Sequence, residues 1–237
     1  MANLTIEELN RYNRQLMLTE MGAEGQIKLK QAKVLVVGAG GLGCPALQYL
    51  SAAGVGTIGI VDFDNVEIHN LPRQLLFTAA DIGKPKAPTA AQKINELNPT
   101  VSCVVFNELL QKSNAENIIS QFDIVLDGSD NFLTRYLVND VCVKLNKPLV
   151  YGSILKFEGQ LAVFNYKGNK NLRDIYPEPP NPEDVSGCSE SGVMGFVPGV
   201  IGAYMAGAAI QLILDKCNID GLLLFDFKKF SILNLKT

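Results

Sequence analysis

The chain has 237 residues, of which 47% are hydrophobic and 19% charged, and its formal net charge is −3. This length and balance are typical of one large globular domain with a substantial buried core. The slightly acidic charge argues against the basic surface of a nucleic-acid-binding protein. The polar first residues exclude a secretory signal, and no apolar run approaches the roughly 20 residues of a membrane span. We therefore expect a cytoplasmic protein with neither nucleic-acid nor membrane partners.

The strand and helix patterns alternate through the first two thirds of the chain. The predicted strands are Lys33–Val37, Thr57–Val61, Ser102–Phe106, Ile124–Leu126 and Leu149–Tyr151. The predicted helices are Thr5–Met17, Leu42–Ala53, Lys86–Leu97, Ala115–Gln121 and Asn131–Leu145. Alternation at this spacing predicts βαβ units and an α/β, doubly wound, Rossmann-like sheet.

The pattern changes after Gly159. The later predicted elements are a strand at Gln160–Tyr166, a loop at 168–187, a helix at Val200–Leu214 and a hairpin of Leu222–Phe225 and Phe230–Leu235. The strand at Gln160–Tyr166 and the hairpin are expected to be antiparallel. The sheet is therefore predicted to be mixed, mainly parallel, with a C-terminal antiparallel extension.

A glycine-rich segment, GAGGLG, follows the first predicted strand at residues 38–43. Gly38, Gly40, Gly41 and Gly43 allow backbone N–H groups to approach phosphate oxygens at the start of a helix. Asp62 ends the next strand, at the spacing that binds ribose hydroxyls. This pattern predicts an adenine-nucleotide site without identifying the nucleotide. An NAD-dependent oxidoreductase and an ATP-dependent ligase-type enzyme both remain possible.

Further charged residues favour ATP. Arg73 and Lys86 supply cations of the kind that a triphosphate needs and a hydride-transfer site does not. Asp130 follows the fourth predicted strand, where open α/β sheets bind ligands, and a carboxylate there can hold Mg²⁺. The alternative interpretations are that the cations are solvated surface residues and that Asp130 caps the helix beginning at Asn131.

Six ordered motifs together resemble the ThiF/MoeB/HesA adenylyltransferases, the bacterial relatives of the ubiquitin-activating enzymes. They are RYNRQ (11–15), GxGGLG (38–43), DxD (62–64), NLxRQ (70–74), GKPKA (83–87) and DxxDN (127–131). The similarity runs from about Arg11 to about Leu214. The resemblance implies a homodimer that binds ATP with Mg²⁺ and a ubiquitin-like sulfur-carrier protein ending in Gly-Gly.

The resemblance also implies roles for single residues. Asp62 is expected to hold the ribose, Arg73 and Lys86 to contact the phosphates, and Asp130 to position Mg²⁺. Arg14, in RYNRQ, is expected to reach the triphosphate of the partner subunit. The remaining polar positions expected around the nucleotide are Asp64, Asn70 and Gln74.

The implied reaction is adenylylation of the carrier's C-terminal carboxylate, with release of pyrophosphate. A sulfur donor, such as a cysteine desulfurase or a rhodanese, then converts the product to a thiocarboxylate. The carboxylate is ionised at neutral pH, so the reaction needs no general base and depends on positioning and electrostatic stabilisation. The single histidine, His69, is accordingly predicted to be structural or at the surface.

Cys188 lies in SGCSESGV, residues 186–193, which resembles the crossover loop of the family. A cysteine there can link covalently to the carrier in thiamine-pathway members and is dispensable in molybdopterin-pathway members, so Cys188 slightly favours the thiamine pathway. A small buried thiol is the alternative. Many relatives carry two C-x-x-C pairs that bind zinc; both are missing here, so we expect a zinc-free variant.

We expect a single domain over residues 1–237. It comprises N-terminal helices in 1–30, a nucleotide-binding core in 31–154, and carrier-binding strands, crossover loop and closing helix and hairpin in 155–237. Two other classes of protein remain open: an NAD-dependent oxidoreductase and a non-catalytic member of the same fold. Adenylylation of a tRNA base or of a peptide carboxylate is a related possibility, and the acidic charge disfavours tRNA.

Overall fold

A computed structural model describes residues 3–180 and 192–236 of the chain. The strands, in chain order, are β1 (Lys33–Val37), β2 (Thr57–Val61), β3 (Ser102–Phe106), β4 (Ile124–Asp127), β5 (Leu149–Leu155), β6 (Glu158–Phe164), β7 (Leu222–Asp226) and β8 (Ser231–Leu235). The helices are α1 (Ile6–Arg11), α2 (Asn13–Leu16), α3 (Gly22–Gln31), α4 (Gly43–Ala53), α5 (Lys86–Leu97), α6 (Ala115–Ile119), α7 (Phe132–Lys144), α8 (Leu172–Ile175) and α9 (Phe196–Ile213). Two 3₁₀ turns lie at Ile68–Asn70 and Ala79–Asp81.

The strands form one sheet of eight in the order β3-β2-β1-β4-β5-β6-β7-β8. The first five strands in this order pair in parallel, and β6, β7 and β8 are antiparallel. The chain winds outward from β1 in one direction through β2 and β3, and in the other through β4. This reversal creates a crevice between β1 and β4, at the carboxyl ends of the strands. The predicted mixed, Rossmann-like sheet with an antiparallel C-terminal extension is confirmed.

Both faces of the central parallel strands are buried, whereas the edge strand β3 is partly exposed. On β1, Val34 and Val36 pack in a core with α4 and α9, whereas Leu35 and Val37 pack in a second core around Phe122. A strand with two covered faces needs apolar side chains at successive positions. This explains the run KVLVV of β1. The predicted bounds of β1, β2 and β3 are confirmed.

Helix α9 is longer and more apolar than the predicted Val200–Leu214. It begins at Phe196. Pro198 then lies in the first turn of the helix, where a missing N–H costs nothing. Its 18 residues have a mean hydropathy of 1.7, so by length and composition it could span a membrane, contrary to the expectation that no run approaches that length. Half of it is buried, and it packs on α4, β5 and β6, as the core helix of this fold.

The N-terminal region differs from the single predicted helix Thr5–Met17. Tyr12 divides it into α1 and α2, because its ring is buried and its hydroxyl hydrogen-bonds to Thr100 and Asn98. Helix α3 was not predicted from the sequence. Its glycines lower the intrinsic helix propensity, but Gly25 lies where a Cβ would be 3.0 Å from Leu214 Cδ2, so a small residue is needed for packing against the end of α9.

Candidate functional site

A cleft with a volume of about 310 Å³ opens at the carboxyl ends of β1, β2 and β4. Most of the predicted site residues line it: Gly38, Gly40, Gly41, Asp62, Asp64, Asn70, Arg73, Gln74, Lys86 and Asp130. Gly43 and Arg14 do not. The cleft lies at the topological switch point of the sheet, where α/β proteins bind nucleotides.

The glycine-rich loop forms one wall of the cleft. Gly38 has a φ of +88° and lies against Gly128, so a side chain is excluded there. A Cβ on Gly43 would be 1.8 Å from Gly38 O, which shows that Gly43 packs the start of α4 onto the loop and does not face the ligand. Helix α4 begins without a side-chain cap, but the N–H of Cys44 already donates to Gly40 O at 2.9 Å and Pro45 has no N–H. The glycine-rich loop that precedes the helix is therefore the part of the backbone that can approach an anion.

Asp62 lies at the end of β2 beside this loop. Its carboxylate accepts hydrogen bonds from the backbone N–H of Ala39 and of Asp64, both at 2.8 Å. Burial raises the pKa of Asp62 above its ordinary value, and the hydrogen bond from Asp64 and the charge of Lys86 only partly oppose this. The backbone thus fixes a carboxylate at the position predicted to bind a ribose.

Lys86 supplies a buried ammonium group. Its Nζ lies 2.9 Å from Asp64 Oδ2, and its backbone N–H donates to Asp64 O. An isolated antiparallel β-bridge between Asn65 and Pro85 joins the same two segments. The DxD and GKPKA motifs therefore act together, because one orients the lysine that the other carries.

The NLxRQ motif follows the turn at Ile68–Asn70. Asn70 is buried, and its Oδ1 accepts a hydrogen bond from the Glu67 N–H. Arg73 Nη1 donates to His69 O at 2.8 Å, which holds the guanidinium beside the cleft. Gln74 is buried, and its Oε1 has no hydrogen-bond partner among the described residues. His69 also lines the cleft, with its side chain 64% exposed.

Asp130 is exposed in the cleft, and within the described ranges its carboxylate has no hydrogen bond or ion pair. Asn131, and not Asp130, caps α7, since its Oδ1 accepts from the Thr134 N–H at 2.9 Å. The alternative interpretation of Asp130 as the helix cap is therefore wrong.

The carboxylate of Asp130 fits the requirements of Mg²⁺. This ion usually takes one or two protein carboxylates and completes its shell with water and substrate phosphates. Residues 3–180 and 192–236 hold no cluster of three or more His, Cys, Asp or Glu side chains that could bind a metal without a substrate. The absence of zinc stays a prediction.

Two buried residues under the cleft were missed by the sequence analysis. Asp127, at the end of β4, is fully buried, and Arg135, on α7, is 6% exposed. Arg135 Nε lies 3.4 Å from Asp127 Oδ2. The DxxDN motif contains Asp127, but no sequence pattern showed that its side chain turns into the protein to meet an arginine eight residues later.

Arg14, one of the predicted catalytic residues, is not among the residues that line the cleft. Arg14 is exposed on α2, and its Nη1 is 4.0 Å from Met17 Sδ. Cys188 lies outside the described residues. The other cysteines, Cys44, Cys103, Cys142 and Cys217, are free thiols. Burial raises the pKa of Cys44 and of Cys142 to about 12, so neither is a reactive thiolate at neutral pH.

Known proteins resemble this chain over most of its length. The ThiF family model matches residues 12–237. The chain is 49% identical to "Adenylyltransferase and sulfurtransferase MOCS3" of Culex quinquefasciatus, over 99% of this chain and 54% of that protein. It is 48% identical to "Sulfur carrier protein adenylyltransferase" of Thermus thermophilus, over 96% of this chain and 89% of that protein. The chain thus spans about half the length of the MOCS3 relatives that it matches.

Solved structures share the fold at lower identity. The crystal structure of Escherichia coli MccB with MccA-N7isoASN has a TM-score of 0.83 and 21% identity, and the match covers 99% of this chain and 72% of that one. Likeness at this identity concerns the fold alone.

Proposed function

The chain belongs to the ThiF family, and on that premise we propose that it is an ATP-dependent adenylyltransferase. Its substrate is the C-terminal glycine carboxylate of a ubiquitin-like sulfur-carrier protein ending in Gly-Gly. One observation carries the proposal. The phosphate loop, the ribose-binding Asp62, two cationic side chains (Arg73 and Lys86) and the exposed Asp130 all line a single cleft.

The geometry divides the binding of ATP among these residues. Asp62 accepts hydrogen bonds from ribose hydroxyls, and the loop at residues 38–43 binds phosphate oxygens through its backbone. Lys86 and Arg73 offset the negative charge of the triphosphate. Asp130 would hold Mg²⁺, which when bound neutralises charge on the phosphate oxygens.

The carrier carboxylate then attacks the α-phosphorus of ATP. A bond forms between a carboxylate oxygen and phosphorus, and the bond from the α-phosphorus to the bridging oxygen breaks with its electron pair, so that pyrophosphate leaves. The nucleophile is already ionised, and the cleft needs no general base. The chemistry requires two anions to approach each other, which explains the concentration of cations in the cleft.

Two other classes of protein fit less well. An NAD-dependent oxidoreductase uses the same glycine-rich loop, but it has no use for a buried lysine and an exposed carboxylate at the phosphate end of the cleft. A non-catalytic member of the fold would not need to keep Arg73, Lys86 and Asp130 together. The relatives named as adenylyltransferases support the same conclusion.

The wider assignments are proposals of the same kind. The enzyme acts in the cytoplasm as a homodimer, and a cysteine desulfurase or a rhodanese supplies sulfur to the acyl adenylate. Thiamine and molybdenum-cofactor synthesis share this first step, and the carrier that is accepted identifies the pathway. Elemental analysis of the purified protein should find no stoichiometric zinc.

The role of Cys188 is tested apart from adenylylation. Cys188→Ser should leave pyrophosphate exchange near the wild-type rate, since no thiol takes part in that step. Thiocarboxylate formation should fall sharply if Cys188 links to the carrier. Unchanged sulfur transfer would return Cys188 to a packing role.

The proposed function is tested by exchange of labelled pyrophosphate into ATP. With Mg²⁺ and a Gly-Gly carrier, the wild-type protein should catalyse exchange, and Asp130→Asn should lower the rate by about two orders of magnitude or more. Asp220→Asn, at an exposed carboxylate that does not line the cleft, is the matched control. Exchange that does not need the carrier, or that survives in Asp130→Asn, would contradict the proposal.

A further inference from the structure

Two opposite charges are buried at the wall of the cleft, which Arg135 itself lines. Asp127 is 0% exposed and Arg135 is 6% exposed, and their side chains form an ion pair of 3.4 Å. Removing two charges from water costs several kcal/mol per ion by general estimates, and an apolar pair of similar size often gives equal or greater stability. Stability of the fold alone therefore does not account for this pair.

The hydrogen bonds of the pair converge on Ser129. Asp127 Oδ1 accepts from the Ser129 N–H at 3.0 Å and from the Ser129 hydroxyl. Arg135 Nη2 donates to Ser129 O at 3.0 Å. Ser129 C=O and Asp130 N–H belong to one planar peptide unit. The hydrogen bond from Arg135 therefore fixes the orientation of the backbone just before Asp130.

The same guanidinium connects this loop to β5. Arg135 Nη2 also donates to Gly152 O at 3.3 Å, and Nη1 donates to Ser153 Oγ at 3.1 Å. The guanidinium carbon lies 5.0 Å from the centre of the Tyr151 ring, which supports it from one side. Ile154 and Leu155, at the end of β5, and Lys156, which follows, also line the cleft. Arg135 thus connects the loop that carries Asp130 to a second segment that lines the cleft.

We propose that Arg135, paired with Asp127, is a positioning residue that sets the Asp130 carboxylate in place to bind the metal ion of the nucleotide. The inference rests on the proposed binding of ATP with Mg²⁺ in this cleft. Lysine cannot replace arginine here, because an ammonium lacks the planar fork that reaches Ser129 O, Gly152 O and the Ser153 hydroxyl together. Nucleotide binding without metal depends on the glycine-rich loop, Asp62 and Lys86, whereas the hydrogen bonds of Arg135 given above go to Ser129, Gly152 and Ser153.

The test measures binding of the fluorescent analogue mant-ATP as Mg²⁺ is titrated. The affinity of Arg135→Lys for mant-ATP without Mg²⁺ should stay within about twofold of the wild-type affinity. The Mg²⁺ concentration that gives the metal-dependent increase in mant-ATP affinity should rise by about tenfold or more, as expected when a residue that orients a metal ligand is lost. Asp130→Asn should show the same pattern. Arg173→Lys is the matched control. Like Arg135, Arg173 pairs with an aspartate, in this case Asp140 of α7, but this pair is exposed and does not line the cleft.

Thermal unfolding of each variant accompanies the titration. Wild-type Mg²⁺ dependence in a folded Arg135→Lys would overturn the proposal, and so would equal loss of metal-free and metal-dependent binding, which marks a merely structural role. If Arg135→Lys does not fold, Ser153→Ala carries the test, since it removes one partner of the guanidinium. It should raise the Mg²⁺ requirement by about twofold to threefold, less than Arg135→Lys does, because the other hydrogen bonds of the guanidinium remain; no change would overturn the proposal.

The outcome is separable from that of the proposed function. A wild-type protein that binds mant-ATP in a Mg²⁺-dependent way but shows no carrier-dependent pyrophosphate exchange would contradict the function and leave the positioning role intact. Wild-type binding that is indifferent to Mg²⁺ would overturn the positioning role, whatever the exchange assay shows.

Discussion

Lys86 Nζ lies 2.9 Å from Asp64 Oδ2, and the lysine side chain is only 7% exposed whereas the aspartate side chain is 50% exposed. A buried ammonium is costly unless a carboxylate accompanies it. Asp64 therefore keeps the charge of Lys86 in place beside the glycine-rich loop. A triphosphate entering the cleft meets a cation that is already desolvated and oriented, which is the condition for strong electrostatic stabilisation.

Substitution of this pair should have graded effects on carrier-dependent pyrophosphate exchange. Lys86→Met should lower the rate by about 10²- to 10³-fold, the usual cost of removing one preorganised charge or donor. Asp64→Asn should lower it by about tenfold, because the ammonium stays but loses its anchor. Lys144→Met, at an exposed lysine paired with Glu116, should have no effect. Equal rates for Lys86→Met and Lys144→Met would remove Lys86 from the mechanism.

Two glycines of one loop should respond differently to alanine. Among the described residues, a Cβ at Gly40 would have only Gln74 Nε2 within 4 Å, at 3.7 Å, so Gly40→Ala should fold normally and weaken mant-ATP binding by occupying the cleft wall. At Gly43 a Cβ would be 1.8 Å from Gly38 O, so Gly43→Ala should lower the melting temperature markedly. Thermal unfolding and mant-ATP titration of both variants separate the two roles. A stable Gly43→Ala with normal binding would show that the loop is less tightly packed than described.

Arg14 should act on the partner subunit's site. It does not line the cleft of its own chain, and phosphoryl-transfer enzymes often receive an arginine in trans. Arg14→Ala and Asp130→Ala should each be nearly inactive alone. Chains refolded together in equal amounts should regain about a quarter of the wild-type exchange activity, because one site in each mixed dimer has both residues. No recovery, with mixed dimers verified by mass spectrometry, would place Arg14 in its own subunit's site or outside the mechanism.

Asp81 anchors the segment that leads to Lys86, and its contribution should depend on pH. Burial tends to raise the pKa of Asp81, but hydrogen bonds from Lys84, Thr78 and Lys93 outweigh this effect and hold the pKa well below its usual range. A lowered folded-state pKa stabilises the protein above the unfolded-state value of about 3.9, and the stabilisation is lost as the pH falls through the folded-state value.

Asp81→Asn should therefore lower the free energy of unfolding near pH 7 by about 2 kcal/mol, the order of a hydrogen bond to a charged group. The deficit should shrink at about pH 3.5, where the unfolded wild-type protein already binds the proton. Urea unfolding at both pH values measures it, with Asp220→Asn as the exposed control. A deficit that is the same at both pH values would show that lost packing, and not charge, is responsible.

The elements that were predicted best from the sequence are those whose local hydrophobic pattern matches their burial in the fold. The strands β1 and β2 are nearly continuous apolar runs because both of their faces are buried. By contrast, β5 was predicted to end at Tyr151, since Gly152 and Ser153 interrupt the run. Gly152 is required by the close approach of α9, where a Cβ would be 2.3 Å from Met205 Sδ. Such a contact between distant segments leaves no local pattern.

The site shows the same division. The order of the motifs predicted that Asp62, Lys86 and Asp130 belong to one site, and all three line the cleft. The Asp127–Arg135 pair was not predicted, because whether a polar side chain turns inward depends on the packing of α7 against β4 and β5. The assignments of Arg14 and Cys188 remain predictions from the resemblance.

The central claim is that the carrier receives an adenylyl group on its terminal carboxylate, and the most direct measurement is the fate of each phosphate of ATP. The purified protein is incubated with Mg²⁺, a Gly-Gly carrier, and ATP labelled at either the α- or the γ-phosphate. We predict that label from the α-phosphate becomes bound to the carrier and that label from the γ-phosphate is released as pyrophosphate. Neither event should occur when the last glycine of the carrier is deleted. Transfer of the γ-phosphate to the carrier, or α-label transfer that persists without the terminal glycine, would contradict it.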